Sequence, residues 1–370
     1  MRLRTLSLTD WRSYESVELS FDDGLTAILG ENGEGKTNLI EAIAWLSGIG
    51  SFRGVTDDAL VRSGAESAVL RAVIQTDDGR EQLVEAEIPR VGRNRVQVNR
   101  QRVSRLSDLL TVFQVSVFSP DDLTLVKGGP GERRAWLDQA LVSHNPRLTA
   151  LRTEVDRILK QRNALLRGVH GRLDADAELT LEVWDTKLVD AGETLRDARL
   201  TLLEQLQPHL SRAYQEVSQQ RDNAVAQYQC SWSGSLADAL HDSRGLDLRR
   251  GLTTVGPHRD EVFLTISENP ARTHASQGEQ RSLALALRLA VDSVVRETGL
   301  ISPVLLLDDV FSELDPGRAA ALVDALPNTQ RFLTTAAGLP PGTEPARVLT
   351  VANGQISATS QQTAGERGDG

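Results

Sequence analysis

The stretch whose reading decides the fold is Leu25-Thr26-Ala27-Ile28-Leu29-Gly30-Glu31-Asn32-Gly33-Glu34-Gly35-Lys36-Thr37-Asn38. Its first five residues are a short apolar run of the kind that becomes a buried strand. From Asn38 to Leu46 the apolar residues recur at helical spacing. Between strand and helix, Gly30-x4-Gly35-Lys36-Thr37 has the spacing of a phosphate-binding loop. Gly33 and Gly35 let the backbone turn tightly and aim N–H groups at phosphate oxygens, and the start of the following helix adds its positive end. Lys36 is placed to reach the β- and γ-phosphates and Thr37 to ligate Mg²⁺ through its hydroxyl.

Far downstream, Pro303-Val304-Leu305-Leu306-Leu307-Asp308-Asp309 reads as a buried strand ending in two acids. Adjacent carboxylates at a strand end are costly unless a cation or hydrogen bonds offset them. Asp308 is the candidate Mg²⁺ ligand with Thr37, and Asp309 the carboxylate that polarises an attacking water, so Lys36, Asp308 and Asp309 form the catalytic set. The distance along the chain from Lys36 to Asp308 implies that other material is inserted between two halves of one nucleotide domain. Ala275-Ser276-Gln277-Gly278-Glu279 precedes an apolar-faced helix, which makes a second anion-binding helix end in the same chain.

The inserted material has its own texture. From Leu148, and again from Leu181 to Leu202, apolar residues recur at spacings of three and four, with a polar break at 168–176 between the two runs. This predicts a helical hairpin, too short for a long coiled-coil arm. The expected division is a head from 1–144 and 245–353, a mainly helical lobe at 145–244, and a disordered tail at 354–370. The polar composition of that tail, with almost nothing apolar, is the reason for the last assignment.

Composition excludes several classes. The single cysteine, Cys230, rules out an intrachain disulfide framework or a Cys-rich metal site. No apolar run is long enough to span a membrane, and Met1-Arg2-Leu3-Arg4 alternates like a strand and unlike a signal peptide. The expectation is therefore a cytoplasmic protein. Net charge is −10, from 41 basic and 51 acidic residues, which argues against a uniformly basic nucleic-acid coat. Against that background Arg90, Arg93, Arg95, Arg100, Arg102 and Arg105 cluster in a stretch without acids. Arg93, Arg95, Arg100, Arg102 and Arg105 are the DNA-binding candidates, lying along a phosphate backbone; the alternative is a solvated hairpin whose arginines pair with acids elsewhere. No aromatic residue interleaves them, so duplex or junction backbone is favoured over stacking on single strands.

The three motifs together resemble the ABC-type ATPases, and the form of Gly30 to Asn38 is similar to the SMC and RecF branch. Trp11-Arg12-Ser13-Tyr14, Phe118-Ser119-Pro120-Asp121-Asp122-Leu123, Arg133 to Asp138, Gly256-Pro257-His258-Arg259-Asp260, and Leu307 to Asp315 narrow the likeness to the RecF family of bacterial recombination proteins. The resemblance spans residue 11 to about 335. It implies an α/β, ABC/SMC-like P-loop ATPase head with an inserted helical-hairpin lobe, and weak ATP hydrolysis with Mg²⁺. It further implies an ATP-dependent homodimer, DNA binding, and help in loading RecA with RecO and RecR.

By position, it gives Arg12, Gly30, Asn32, Gly33, Gly35, Lys36, Thr37 and Asn38 to the nucleotide. Ser276, Gln277, Gly278 and Glu279 become a signature acting in trans, and Ser312 and Asp315 a D-loop. Gln114 is the Q-loop candidate, with Ser116 the other placement. Asp309 stands where relatives of this class carry glutamate. No histidine occupies the switch position near Thr334-Thr335-Ala336, and Thr334 or Thr335 stands there instead. The alternatives are an SMC-like head serving a tethering or nuclease complex, or a transporter ATPase subunit.

Overall fold

The computed structural model describes residues 1–299 and 302–359. They form two compact units, one from 1–121 with 295–299 and 302–359 and one from 122–294.

The first unit opens with strands β1 (Arg2–Trp11), β2 (Tyr14–Ser20) and β3 (Leu25–Leu29), then helix α1 (Lys36–Ala44), which runs into a π-helical turn at Trp45–Ile49. Strands β4 (Ser67–Gln75), β5 (Glu81–Pro89), β6 (Arg95–Val98), β7 (Gln101–Arg102) and β8 (Val115–Phe118) follow. The second unit contributes α2 (Leu123–Lys127), α3 (Pro130–His144), α4 (Thr149–Gly168), α5 (Ala175–Ser218), β9 (Ala224–Gln229) and α6 (Leu236–Arg250). It continues with β10 (Glu261–Ile266), β11 (Asn269–Pro270), α7 (Ala271–His274) and α8 (Gln277–Glu297). The chain then returns to the first unit with β12 (Val304–Asp308), α9 (Pro316–Ala325), β13 (Arg331–Thr335), β14 (Arg347–Ala352) and β15 (Gln355–Thr359).

Two sheets build the first unit. One is antiparallel, in the order β2-β1-β4-β5-β6-β7. Its strands alternate buried and exposed residues, as a sheet with one solvated face must. The other has the order β15-β14-β3-β13-β12-β8, with every pair parallel except β14–β15. β12 is apolar up to Asp308 because both of its faces are covered, which explains Val304-Leu305-Leu306-Leu307. Helix α1 lies in the core that the two sheets share. Leu39, Ile40 and Ile43 pack there with Leu3, Leu6 and Leu8 of β1, Leu70 and Ile74 of β4, and Leu306, Phe332 and Leu349 of the parallel sheet.

The parallel sheet brings the C-terminal ends of β3, β12 and β13 to one edge. In an open α/β sheet, ligands bind outside the carboxyl ends of the strands.

In the second unit, α4 and α5 are the expected hairpin, although α5 continues well past Leu202 to Ser218. The hairpin is not a separate lobe at 145–244. Arg199 of α5 pairs bidentately with Asp138 of α3 at 2.7 and 2.9 Å and donates to Pro257 O at 2.7 Å. Arg162 of α4, fully buried, donates to Asp185 and Asp247, both at 2.7 Å. Such long-range buried ion pairs bind the flanking segments to the hairpin, and local periodicity cannot reveal them.

The expected tail also begins too early. Gln355–Thr359 is an edge strand antiparallel to β14, with Ile356 packed against the core of the first unit. An edge strand needs few apolar side chains, so its composition resembled a tail. The remainder of that expectation, 360–370, lies outside the described residues.

Candidate functional site

Strand β3 delivers the chain to Gly30 (φ 156°), and the loop ends at Gly35 (φ 112°), the residue before α1. Only glycine suits either place. A Cβ on Gly30 would run into Val351 O, and one on Gly35 would lie 2.7 Å from Ser13 Oγ and 3.2 Å from the Tyr14 hydroxyl. Tyr14 is buried and donates to Gly35 O at 2.8 Å, and burial holds its phenol far above the ordinary tyrosine range. Lys36 is buried at the start of α1, and its Nζ donates to Gly30 O and Glu31 O, both at 2.7 Å. The ammonium therefore sits within the curl of its own loop. Asn38 Nδ2 donates to Ser13 Oγ at 3.0 Å, while Asn32 is exposed in the loop.

The second motif meets the first through side chains. Thr37 Oγ1 donates to Asp308 Oδ1 at 2.9 Å, and Thr334 Oγ1 donates to the same oxygen at 2.8 Å. Asp308 is 6% exposed. Burial raises its pKa, the negative charge of Asp309 adds to the rise, and the two threonine bonds and the positive charge of Arg53 oppose it. Asp309 follows in the left-handed region, at φ 49°. A β-carboxylate residue tolerates that conformation better than most, but it still costs about 1–3 kcal/mol and persists only where the surroundings impose it. Here the Asp309 N–H donates to Thr334 Oγ1 at 2.9 Å, and Ser312 Oγ donates to Asp309 O at 2.9 Å. Asp309 Oδ1 is buried with no hydrogen-bond partner among the described residues.

The donor set suits a small hard cation. Two hydroxyl-bonded or unpartnered carboxylates and a threonine hydroxyl, beside a phosphate cradle, match the way Mg²⁺ is held by few protein oxygens plus nucleotide phosphates. Among the described residues no cluster of three His, Cys, Asp or Glu is placed to hold a metal by protein groups alone.

Other expected residues fall elsewhere. Arg12 does not present its guanidinium to the loop. It forks onto fully buried Glu41 at 2.8 and 2.9 Å and donates to Ala59 O at 3.0 Å, and Ser51 Oγ also donates to Glu41. Gln114 is displaced as a Q-loop residue. Val115 pairs with Val304 and Phe118 with Leu307, so Gln114 lies at the far end of β8 from Asp308. At about 3.3 Å per residue that is well over 10 Å away. Its amide is buried and donates to Leu110 O at 3.0 Å. Ser116 is mid-strand, and the residue one step beyond the pair with Leu307 is Ser119.

Ser276 and Glu279 close a capping box at the start of α8: the Ser276 N–H donates to Glu279 Oε2 at 2.7 Å and Glu279 N–H to Ser276 Oγ at 3.3 Å. Gln277 and Gly278 form that first turn. Asp315 caps α9 by accepting from the Arg318 N–H at 3.0 Å. Arg133 and Arg134 face their own unit, the former on Glu261 at 2.9 and 3.0 Å and the latter on Asp260 O at 2.6 Å.

Of the arginine cluster, Arg90 is committed to the carbonyls of Val61, Arg62 and Ala65, and Arg95 pairs with Glu87 at 2.8 Å. The row Arg71, Glu85, Gln97, Arg102 crosses β4 to β7, with Arg71 paired to Glu85 at 3.1 Å. The face is thus charge-balanced toward its middle. Arg93, Arg100, Arg102 and Arg105 are exposed and carry no ion pair among the described residues, and they lie along the β6–β7 edge and its flanking turns.

Four residues take places at the site that the sequence reading did not assign to them. Tyr14 and Ser13 brace the loop, and their only signal was the Trp11 to Tyr14 stretch. Thr334 holds Asp308 directly instead of standing by as a switch residue. Arg53, exposed beyond the π-helical turn, carries no ion pair among the described residues and is near enough to bias Asp308.

A glycine loop feeding α1, facing an acid-ended parallel strand with an antiparallel sheet beside it, defines an SMC-like P-loop ATPase head of the ABC type. The RecF/RecN/SMC N terminal domain family matches residues 2–337. The Smc head bound to the C-winged helix domain of ScpA has the same fold, with a TM-score of 0.61 at 17% identity over 98% of this chain and 99% of that one.

Within this class the chain belongs to the RecF family. The DNA replication and repair protein RecF of Streptomyces avermitilis is 42% identical over 91% of this chain and 94% of its own length. That of Cutibacterium acnes is 40% identical over 91% and 92%. The solved recombination mediator protein RecF-ATP in the RecFOR pathway matches with a TM-score of 0.88 at 29% identity, covering 97% of both chains. The expected family and the expected ABC/SMC-like α/β class are both borne out.

Proposed function

We propose that this chain binds Mg²⁺-ATP at the Lys36–Asp308 site, hydrolyses it slowly, and couples the nucleotide state to dimerisation and to binding of duplex or junction DNA in recombinational repair. The observation that carries this reading is the convergence of Thr37 and Thr334 on one oxygen of buried Asp308, beside the unpartnered carboxylate oxygen of Asp309. The RecF-ATP relative supports the choice of nucleotide. Bound Mg²⁺ would neutralise phosphate charge, with Thr37 and Asp308 as the residues that hold it. Asp309 orients the attacking water, Lys36 and Arg53 offset charge on the phosphates, and the loop N–H groups fix their position. Asp309 is one methylene shorter than glutamate, which accords with slow turnover.

In the proposed dimer, Ser276, Gln277, Gly278 and Glu279 of one copy close over the nucleotide of the other, with Ser312 and Asp315 at the subunit contact. Two equivalent sites follow from the symmetry. Loading of RecA with RecO and RecR belongs to the same proposal, and the recombination-mediator role printed for the RecF-ATP relative supports it. Arg93, Arg100, Arg102 and Arg105 are the proposed DNA contacts, with Arg95 a weaker candidate because of its Glu87 pair.

Sedimentation with ADP, with ATP, and with ATP plus gapped DNA tests the scheme beside Ser276→Arg. A dimer formed with ATP alone or with DNA, and lost in the variant, supports it. A monomer under every condition, with DNA binding indifferent to ATP, overturns it.

A further inference from the structure

We propose that Glu34, inside the phosphate loop, is a positioning residue that fastens the loop to the turn between β14 and β15 and thereby sets nucleotide affinity. This rests on the nucleotide reading above and adds a residue to it.

The carboxylate of Glu34 accepts the backbone N–H of Asn353. Asn353 (φ 51°) and Gly354 (φ 71°) are the two central residues of a tight hairpin turn, joining strands whose last pair is Ala352 with Gln355. Positive φ at both positions is the usual two-residue hairpin geometry. The same hairpin touches the loop again at its start, where Val351 O lies against Gly30, and it touches the bracing segment, where a Cβ on Gly354 would meet Ser13 O at 2.8 Å. Ser13 in turn receives Asn38 and abuts Gly35. The loop is therefore fixed at its beginning, middle and end by residues 13–14 and 351–354.

Charge makes the role separable. A carboxylate beside a phosphate site repels the nucleotide, so on electrostatics alone its removal should tighten binding. As a charge-assisted anchor it does the opposite, because the loop N–H groups bind phosphate well only when already aimed. Glu34→Gln keeps an oxygen acceptor and loses the charge, whereas Glu34→Ala loses both.

Calorimetric titration of the full chain with Mg²⁺-ATP decides the matter, with thermal unfolding measured in parallel. Weakening by about 10-fold is expected for Glu34→Ala, with Glu34→Gln equal to the parent or tighter, and both melting close to the parent. Gly354→Ala, which attacks the anchor from the hairpin side, should weaken binding in the same direction. Equal tightening in both Glu34 variants, no change in Glu34→Ala, or a loss that Glu34→Gln shares overturns the proposal and leaves the nucleotide reading intact. Failure of the parent to bind ATP overturns both.

Discussion

Arg12 is tied to the helix that follows the phosphate loop and not to the loop itself. Its guanidinium is the partner of Glu41, which is fully buried on α1. Arg12→Ala should destabilise the first unit by about 3–5 kcal/mol, because it strands a buried charge. Chemical denaturation would show this, and Arg12→Ala combined with Glu41→Leu should recover much of the loss. Asp308 carries the opposite tension. Its folded pKa lies above the unfolded value, so its contribution to stability is complete below the ordinary carboxylate range and is lost as pH rises through the folded pKa. Asp308→Asn should therefore melt higher than the parent at pH 7 without nucleotide, lose that advantage near pH 4, and lose ATP hydrolysis. A lower melting temperature at pH 7 would contradict this account.

At the scale of elements, the loop after α6 places a histidine where it cannot easily be charged. His258 bonds Thr253 O through Nε2 at 3.1 Å, its Nδ1 has no partner among the described residues, and burial, with Arg259, Arg134 and Arg162 nearby, lowers its pKa to about 4. The depressed value means that stability present above the unfolded pKa, near 6.5, is lost as pH falls through about 4. The full effect is about 3 kcal/mol. His258→Gln should flatten acid unfolding of the second unit between these pH values, read by circular dichroism. A variant with an unchanged acid midpoint would show that the imidazole is not the titrating group.

For the whole molecule, the free arginines give a salt test. Replacing Arg93, Arg100, Arg102 and Arg105 with glutamine should reduce the slope of log affinity against log salt by about 0.9 for each phosphate that is no longer neutralised. An unchanged slope on duplex DNA would move the interface elsewhere. Much of the site was legible because its determinants are local: Gly30 to Asn38 and Leu305 to Asp309 each carry their own spacing and hydrophobicity. Partnerships across the chain were not legible. Nothing adjacent to Arg12 announces Glu41, nothing near Gln114 fixes the register of β8 against β12, and nothing in Gln355–Thr359 announces a strand until β14 supplies its partner.

The order of β3, β13 and β14 bears on how the protein is made. β3 pairs with β13 on one side and β14 on the other, and both come from the last part of the chain. A ribosome therefore completes every residue of the second unit while the strand that carries the phosphate loop still lacks both neighbours. Translation must pass Ala352 before that strand is enclosed, so a chain halted by a premature stop upstream should be unable to hold nucleotide, however intact its glycine loop.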